Sequence, residues 1–234
     1  MLPLVLESIS FVVNGRNIID RVSMEITEGA RTVILGPNGA GKSVLMRLCH
    51  GLLEPTSGSI TWRGAGNGRR RQAMVFQRPV MLRRSALANI VYGLKLAGIT
   101  PRERALRARD VLEAVGLAAV ADRAARVLSG GEQQKLALAR AWSLGPEVLF
   151  LDEPTANLDP GATREFETLV GQIRAGGTKI VMTTHNLGQA RRMGDEILFL
   201  DRGRLVERTP VEQFFRQPAS PEATAFIREE LPQI

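Results

Sequence analysis

The most constraining feature of the chain is a short glycine-rich segment, Gly36-Pro-Asn-Gly-Ala-Gly-Lys-Ser43, which fits the pattern G-x-x-x-x-G-K-[ST]. The apolar run Arg31–Leu35 before it predicts a buried strand, and Lys42 to Leu53 have the apolar spacing of a helix ended by Glu54-Pro55. Closely spaced glycines allow a tight turn that points N–H groups at phosphate from a helix start. Lys42 would add positive charge at the β- and γ-phosphates, and Ser43 would offer a hydroxyl ligand to Mg²⁺.

A second segment supplies the acidic groups that such a site needs for hydrolysis. Val148-Leu-Phe-Leu151 predicts a buried strand, and Asp152 follows at its carboxyl end, where it would hold the Mg²⁺ shell. The adjacent Glu153 would orient and deprotonate an attacking water, a task that contributes about 10²–10⁴ in rate.

A third segment, Leu128-Ser-Gly-Gly-Glu-Gln133, predicts a glycine-rich helix start. Ser129 is a helix N-cap residue followed by two glycines, so its hydroxyl and the open N–H groups suit a γ-phosphate. The segment has no lysine and does not complete a phosphate site alone. Together with the loop at Gly36 it suggests one site made from two copies of the chain.

Size and composition limit the class of protein. At 234 residues the chain is long enough for one sizeable core, which can be divided into lobes, and too short for two large domains. No apolar run approaches the ~18 residues that span a bilayer, and the first residues lack the features of a signal peptide. The single cysteine, Cys49, excludes an internal disulfide and fits a reducing compartment, so we expect a cytoplasmic protein.

The net charge of +7 comes mainly from arginine. The clusters Arg69–Arg71, Arg83-Arg84 and Arg191-Arg192 are short and scattered, which favours solvated faces over lipid headgroups or a partner's acidic loop. No basic stripe interleaved with aromatic residues is present, and nucleic-acid binding is not expected.

The order of apolar patterns predicts the fold class. The first thirty residues alternate as strands with turns at Asn14-Gly15 and Glu28-Gly29, and Ser59–Trp62 and Ala73–Phe76 are further strands around a loop at Gly64–Gly68. From Ser85 to Ala139 the periodicity is helical, with breaks at Gly98–Pro101 and Gly116. The core then resumes with a helix from about Gly161 to Ala175 and with two strands, Thr178–Thr183 and Ile197–Leu200. This pattern predicts an α/β fold with a mainly parallel sheet, an N-terminal antiparallel β lobe and an inserted helical lobe.

These residues resemble the ABC-type ATPases over nearly the whole chain. The order of motifs is the family's: the loop at Gly36–Ser43, Gln77 after a strand, the signature at Leu128–Gln133, Asp152-Glu153, Asn157–Asp159, and a strand ending at His185. The resemblance implies a P-loop NTPase core and a single ABC ATPase domain over 1–234. It divides this domain into an α/β core at about 1–84 and 140–234 and a helical lobe at 85–139.

The resemblance also implies a set of roles. A head-to-tail homodimer would close on two Mg-ATP molecules, each held by one protomer's loop and by Ser129, Gly130, Gly131 and Glu132 of the other. Gln77 would reach the Mg²⁺ or the attacking water, His185 would contact the γ-phosphate and Glu153, and Asp159 would lie at the dimer seam. The ATP-binding residues on the loop are Gly36, Pro37, Asn38, Gly39, Ala40, Gly41, Lys42, Ser43 and Val44, and the Mg²⁺ ligands are Ser43, Gln77 and Asp152.

Two positions depart from the family pattern. Val13 stands where the family often has an aromatic residue stacked on adenine, a loss worth roughly 1–3 kcal/mol of base affinity. Phe11 on the same strand face or Arg16 as a stacking cation are the alternatives. Val44 replaces a common threonine after Ser43, although the Mg²⁺ ligand itself is retained.

An ATPase unit without membrane helices implies an importer subunit on the inner face of the cell membrane, with a separate permease and an extracytoplasmic solute-binding protein. The segment Arg78–Ile90, with Leu48–Leu52 and Thr209–Pro218, is similar to ATPases of tungstate, molybdate and phosphate importers, with tungstate the first choice. The alternatives are an amino-acid importer or an exporter. A translation-type protein would need two ATPase units and a DNA-repair type a long coiled coil, and neither pattern is present.

Overall fold

The structure is a computed structural model that describes residues 2–64 and 72–230. The described residues divide into two compact units, one formed by 2–64 with 179–230 and the other by 72–178. Within these ranges, the structure contains no helix both long and apolar enough to cross a bilayer. The predicted loop at Gly64–Gly68, from residue 65 on, and the cluster Arg69–Arg71 lie outside the described residues.

The first unit begins with an antiparallel sheet of three strands in the order β2-β1-β4. The strands are β1 (Leu4–Val13), β2 (Arg16–Ile26) and β4 (Ser57–Trp62). The hairpin between β1 and β2 turns at Asn14-Gly15, as predicted from the two turn residues. Strand β1 continues through Ser8, because a register shift between Leu6 and Ile9 keeps both parts of the strand paired with β2.

The same unit contains a set of parallel strands that are buried over most of their length, as is typical of parallel sheets. The middle strand β3 (Thr32–Leu35) pairs in parallel with β7 (Lys179–Thr184) on one side and with β8 (Glu196–Asp201) on the other. An antiparallel strand, β9 (Arg204–Pro210), follows β8. The helices of this unit are α1 (Lys42–His50), α6 (Leu187–Met193), α7 (Val211–Arg216) and α8 (Pro221–Glu230).

The second unit joins a pair of parallel strands to four helices. Strands β5 (Gln72–Val75) and β6 (Val148–Asp152) pair with Val75 opposite Leu151. The helices are α2 (Ala86–Leu96), α3 (Pro101–Ala114), α4 (Gly130–Trp142) and α5 (Pro160–Ala175). The predicted breaks at Gly98–Pro101 and at Gly116 separate these helices as expected.

The predicted α/β class, with mainly parallel strands and an N-terminal antiparallel lobe, is confirmed. The predicted end of α1 was wrong. Helix α1 ends at His50 and not at Leu53, because Gly51 adopts a left-handed conformation with φ 82° and turns its N–H back to Leu48 and Arg47. Strand β9 was not predicted, because its alternation is weak and two arginines, Arg204 and Arg208, interrupt it.

Candidate functional site

The glycine loop Gly36–Gly41 connects β3 to α1, and its backbone is held in place by close neighbours in the first unit. A Cβ at Gly36 would overlap the carbonyl oxygen of Leu200 on β8. Gly41 has φ 98°, and a Cβ there would lie 2.8 Å from the carbonyl oxygen of Ile18. Only glycine fits both positions, so the sequence pattern here reflects a steric requirement of the loop.

Lys42 lies inside this loop and is only 5 % exposed. Its ammonium nitrogen donates hydrogen bonds to the carbonyl oxygens of Gly36 at 2.9 Å and Pro37 at 3.0 Å. The loop therefore wraps around a buried positive charge at the start of a helix, where the helix dipole also favours an anion. At Gly39, with φ 81°, a Cβ would meet no atom within 4 Å, so this side of the loop is open.

Strand register places His185 at the same edge as the loop. Leu35 pairs with Thr184 in the parallel β3–β7 pair, so Gly36 and His185 both follow directly after paired residues at the carboxyl ends of neighbouring strands. Asn186 then caps α6 by accepting a hydrogen bond from the Gln189 N–H at 2.8 Å. His185 therefore occupies a fixed turn between a strand and a helix cap.

In the second unit, Asp152 is the last residue of β6 and is only 2 % exposed. Glu153 follows it with φ 42°, a left-handed backbone conformation that costs a non-glycine residue about 1–3 kcal/mol. Such strain is typically maintained where a side chain must point in one particular direction. The sequence predicted a functional glutamate here but gave no sign of this backbone conformation.

Gln77 lies at the same end of this strand pair as Glu153. Because Val75 pairs with Leu151, Gln77 and Glu153 each lie two residues beyond a paired residue of parallel strands. Gln77 is exposed, and the carbonyl of the preceding Phe76 accepts a hydrogen bond from the side-chain amide of Gln134 at 3.3 Å.

Gln134 is a residue that the sequence analysis missed. It lies in α4, five residues after Ser129, and it is only 2 % exposed. Its bond to Phe76 connects the glycine-rich helix start to the strand end that carries Gln77. A polar residue between the apolar positions of a helix was the only sequence signal for this contact.

The helix start at Ser129 forms a capping box. The Ser129 hydroxyl accepts from the Glu132 N–H at 3.3 Å, and the Glu132 carboxylate accepts from the Ser129 N–H at 2.7 Å. This bond from the Ser129 backbone lowers the pKa of Glu132. Ser129 thus caps α4, as predicted, and both Ser129 and Gly130 are exposed.

The capping box borders a cleft of about 430 Å³ whose opposite wall is the start of α5. Asp159 caps α5 by accepting from the backbone N–H groups of Gly161 at 2.8 Å and Ala162 at 3.0 Å, and these bonds lower its pKa. A Cβ at Gly131 would lie 3.2 Å from Ala162, so glycine keeps the two helix starts close. The cleft brings Asp159 and the signature turn together on one surface.

Val13 lies at the tip of the β1–β2 hairpin, is 42 % exposed and pairs with Arg16 across the hairpin. Phe11 pairs with Ile19 and is partly buried. The closeness of Ile18 to Gly41 ties this hairpin to the loop. Val13 and Arg16 are therefore both exposed at the hairpin tip, whereas Phe11 is partly used in packing.

Comparison with known proteins identifies the family. The family model described as ABC transporter matches residues 19–156, more than half of the chain. The chain belongs to the ABC transporter ATPase family. Members of this family bind and hydrolyse ATP.

Curated relatives of this ABC ATPase carry names for different solutes. The chain is 34 % identical to a phosphate import ATP-binding protein of Natronomonas pharaonis, covering 97 % of this chain and 87 % of that protein. It is 38 % identical to a methionine import ATP-binding protein of Caulobacter vibrioides, covering 94 % and 70 %. It is 37 % identical to the ATP-binding protein of a tungstate uptake system of Peptoclostridium acidaminophilum, covering 82 % and 92 %.

Solved structures agree with the fold of this ABC ATPase. An ATP-binding subunit of an ABC transporter has a TM-score of 0.83 at 25 % identity, covering 98 % of this chain and 99 % of that one. A bacterial ABC transporter cassette with a dimeric structure has a TM-score of 0.80 at 26 % identity, covering 89 % and 98 %. The fold is that of a P-loop ABC ATPase with a parallel sheet and an antiparallel β lobe.

Proposed function

We propose that this chain is the ATP-hydrolysing subunit of a membrane ABC importer. It works as a homodimer with an integral-membrane permease and receives solute through an extracytoplasmic binding protein. The observation that carries the proposal is the buried Lys42 ammonium, held 2.9 Å from the Gly36 carbonyl inside a loop with an open side. The relatives named for phosphate, methionine and tungstate import support the importer class.

The loop residues Gly36 to Val44 would hold the phosphates of ATP. A buried cation at a helix start, beside a glycine with open space, fits an anion. Ser43, Gln77 and Asp152 supply hydroxyl, amide and carboxylate oxygens, the donor types that Mg²⁺ prefers. Bound Mg²⁺ would neutralise phosphate charge during the reaction.

Glu153 would accept the proton of the attacking water, and its left-handed backbone conformation supports a directed side chain at this position. His185 would contact the γ-phosphate. Ser129, Gly130, Gly131 and Glu132 of a second protomer would complete the site, with Asp159 at the dimer seam. Because the γ-phosphate would be shared by both protomers, its removal would allow the dimer to open.

The proposed protein is a single ABC ATPase domain over 1–234, with an α/β core at 1–84 and 140–234 and a helical lobe at 85–139. It would lie on the inner, cytoplasmic face of the cell membrane, where the exposed Val80 and its neighbouring arginines would meet the permease. ATP-driven closure of the dimer would then be transmitted through Gln77 to the permease.

A mixing experiment tests the composite site. Lys42→Ala removes the loop cation and Ser129→Arg blocks the signature turn, so we expect both purified variants to be inactive in Mg-ATP. A mixed dimer of the two contains one intact loop facing one intact signature turn, so turnover returns on mixing. Absence of recovery would contradict a site shared between protomers, and normal turnover in either variant alone would contradict the assigned residues.

For the solute we propose an oxyanion, with tungstate as the first choice. The support is the similarity of Arg78–Ile90, Leu48–Leu52 and Thr209–Pro218 to the ATPases of oxyanion importers, and 37 % identity over 92 % of the tungstate relative. An amino-acid importer is the alternative, favoured by the 38 % identity to the methionine relative. Uptake of tungstate, phosphate and methionine in cells lacking the chain decides: selective loss of tungstate uptake supports the first choice, and selective loss of methionine uptake overturns it.

A further inference from the structure

Helix α8 lies beside the glycine loop Gly36–Gly41 in the first unit. A cleft of about 410 Å³ separates them, with Pro37–Ala40 on one wall and Glu222, Ala225 and Glu229 of α8 on the other. Asp201 at the end of β8 and Arg202 directly after it also line the cleft. None of the residues proposed for the ATP site lies on α8.

Glu207 of β9 fixes the start of α8. Its carboxylate is only 7 % exposed and accepts hydrogen bonds at 3.0 Å from the backbone N–H groups of Ala219 and Ser220 and from the Ser220 hydroxyl. The Ser220 hydroxyl in turn accepts from the Ala223 N–H at 3.2 Å, within the first turn of α8. A buried carboxylate with three polar donors holds a chain segment strongly, because breaking the set leaves a buried charge without partners.

From α8 the contact continues to the loop through β8. Phe226 of α8 packs on Phe199 with ring centroids 5.4 Å apart, and both rings are buried. The next residue on β8, Leu200, lies directly against Gly36. The turn after β8 contacts the far side of the loop, where the Gly203 N–H donates to the Ala40 carbonyl at 3.0 Å. Strand β8 and the turn that follows it therefore contact the loop at two points, Gly36 and Ala40.

We propose that α8 acts as a brace, which means that it holds the glycine loop Gly36–Gly41 in its binding shape. Glu207 is the positioning residue that keeps α8 docked. The inference rests on the proposed function, because it assumes that Gly36–Ser43 binds the phosphates of ATP. A docked α8 holds the loop in its binding shape before nucleotide arrives, which strengthens binding without taking part in hydrolysis. Loss of the brace thus raises the KM for ATP and leaves kcat unchanged.

The kinetic test compares substitutions of two carboxylates in the first unit, Glu207 on β9 and Asp195 before β8. In Glu207→Gln, one carboxylate oxygen is replaced by an N–H₂ group that cannot accept, and we expect the KM for ATP to rise roughly tenfold with kcat within about twofold. The matched control is Asp195→Asn. Asp195 lies just before β8, at the end of this strand that is remote from the loop, and the substitution weakens the hydrogen bonds that its carboxylate accepts from Arg31. We expect this control to lower the melting temperature similarly and to leave KM unchanged. Equal KM values for Glu207→Gln and wild type would overturn the proposal.

A second variant guards against misfolding of Glu207→Gln. Ser220→Ala removes one donor to Glu207 and the cap of Ala223 while leaving the carboxylate in place. We expect a smaller rise in KM in the same direction. A folded Ser220→Ala protein with unchanged KM would contradict the brace.

A fluorescent label on α8 gives a signal that a change in protein stability alone does not alter. Cys49 is buried, and burial raises its pKa to about 12, so we expect little reaction with thiol reagents at neutral pH. Ala225→Cys therefore introduces a single reactive thiol on the cleft wall that faces Pro37–Ala40. With a bimane label there, we expect Mg-ATP to change the emission, whereas a label at the exposed Ala114→Cys on α3 stays constant.

Adding Lys42→Ala to the labelled protein separates the two proposals. If Lys42→Ala abolishes ATP binding while the labelled protein with Lys42 intact binds ATP without any change in emission, the brace is wrong and the phosphate site stands. If Lys42→Ala binds ATP normally, the proposed phosphate site itself is wrong.

Discussion

The ammonium nitrogen of Lys42 lies 2.9 Å from the carbonyl oxygen of Gly36, the first residue of the loop. The loop thus encloses its own cation. Replacing this lysine removes the charge and also the two bonds that draw the loop around it.

We expect Lys42→Ala to weaken ATP binding by roughly a hundredfold, because a charge-assisted contact to phosphate and the loop shape are lost together. Equilibrium dialysis with labelled ATP measures the affinity. Lys95→Ala is the matched control, since Lys95 is exposed in the last turn of α2, and its ATP affinity remains that of wild type. A Lys42→Ala protein with wild-type affinity would remove the cation from the proposed site.

Two substitutions of Glu153 separate the cost of its strained backbone from its proposed role in hydrolysis. Glu153→Gln keeps the left-handed backbone and removes the base, so turnover falls by about 10²–10⁴. Glu153→Gly also loses turnover, but glycine accepts φ 42° without cost, so its melting temperature does not fall.

Glu113→Gly is the control for the strain prediction. Glu113 is exposed in the regular helix α3, where glycine costs about 1 kcal/mol. Thermal unfolding compares the two. A Glu153→Gly protein as destabilised as Glu113→Gly would show that position 153 is not strained.

Gln134 is predicted to hold the strand end that leads to Gln77. Gln134→Ala leaves the Phe76 carbonyl without its side-chain donor and should lower the free energy of unfolding by about 1–3 kcal/mol. Turnover should fall as well, since Gln77 follows directly. Urea unfolding and ATPase assays measure both effects, and Gln172→Ala, at an exposed position of α5, should change neither. Full turnover in Gln134→Ala would mean that this bond serves stability alone.

The capping box at Ser129 gives a pH-dependent prediction. The bond from the Ser129 backbone lowers the pKa of Glu132, so the ionised carboxylate stabilises the folded state above the ordinary glutamate pKa. This contribution is lost as the pH falls through the lowered pKa. Glu132→Gln retains the box without the charge, so wild type should melt higher at pH 7 and the two curves should meet below pH ~4. A melting difference that is constant from pH 7 to pH 3 would contradict the role of the charge.

The parts of the site that follow from local chemistry were predictable from the sequence. The spacing of Gly36, Gly41 and Lys42 specifies the loop, and the serine-glycine run specifies the helix cap at Ser129, because both depend on neighbours in the chain. Apolar runs located β3 and β6, whose carboxyl ends carry the loop and Asp152.

Features that depend on distant contacts were not predictable. The bond from Gln134 to Phe76 joins residues 58 positions apart, and the buried Glu207 reads in the sequence as an ordinary charge on a polar strand. The backbone conformation of Glu153 has no residue-type signal, since glutamate rarely adopts positive φ. The two contacts and the backbone conformation depend on how distant parts of the chain pack, and the local sequence pattern does not reveal that packing.

The central claim is that two protomers share each nucleotide, and the mass of the Glu153→Gln variant in solution tests it most directly. Light scattering with saturating Mg-ATP should give twice the protomer mass, falling to a single protomer when nucleotide is removed or when Ser129→Arg is added. A protomer mass for Glu153→Gln at saturating Mg-ATP, with ATP binding confirmed in the same sample, would contradict the account.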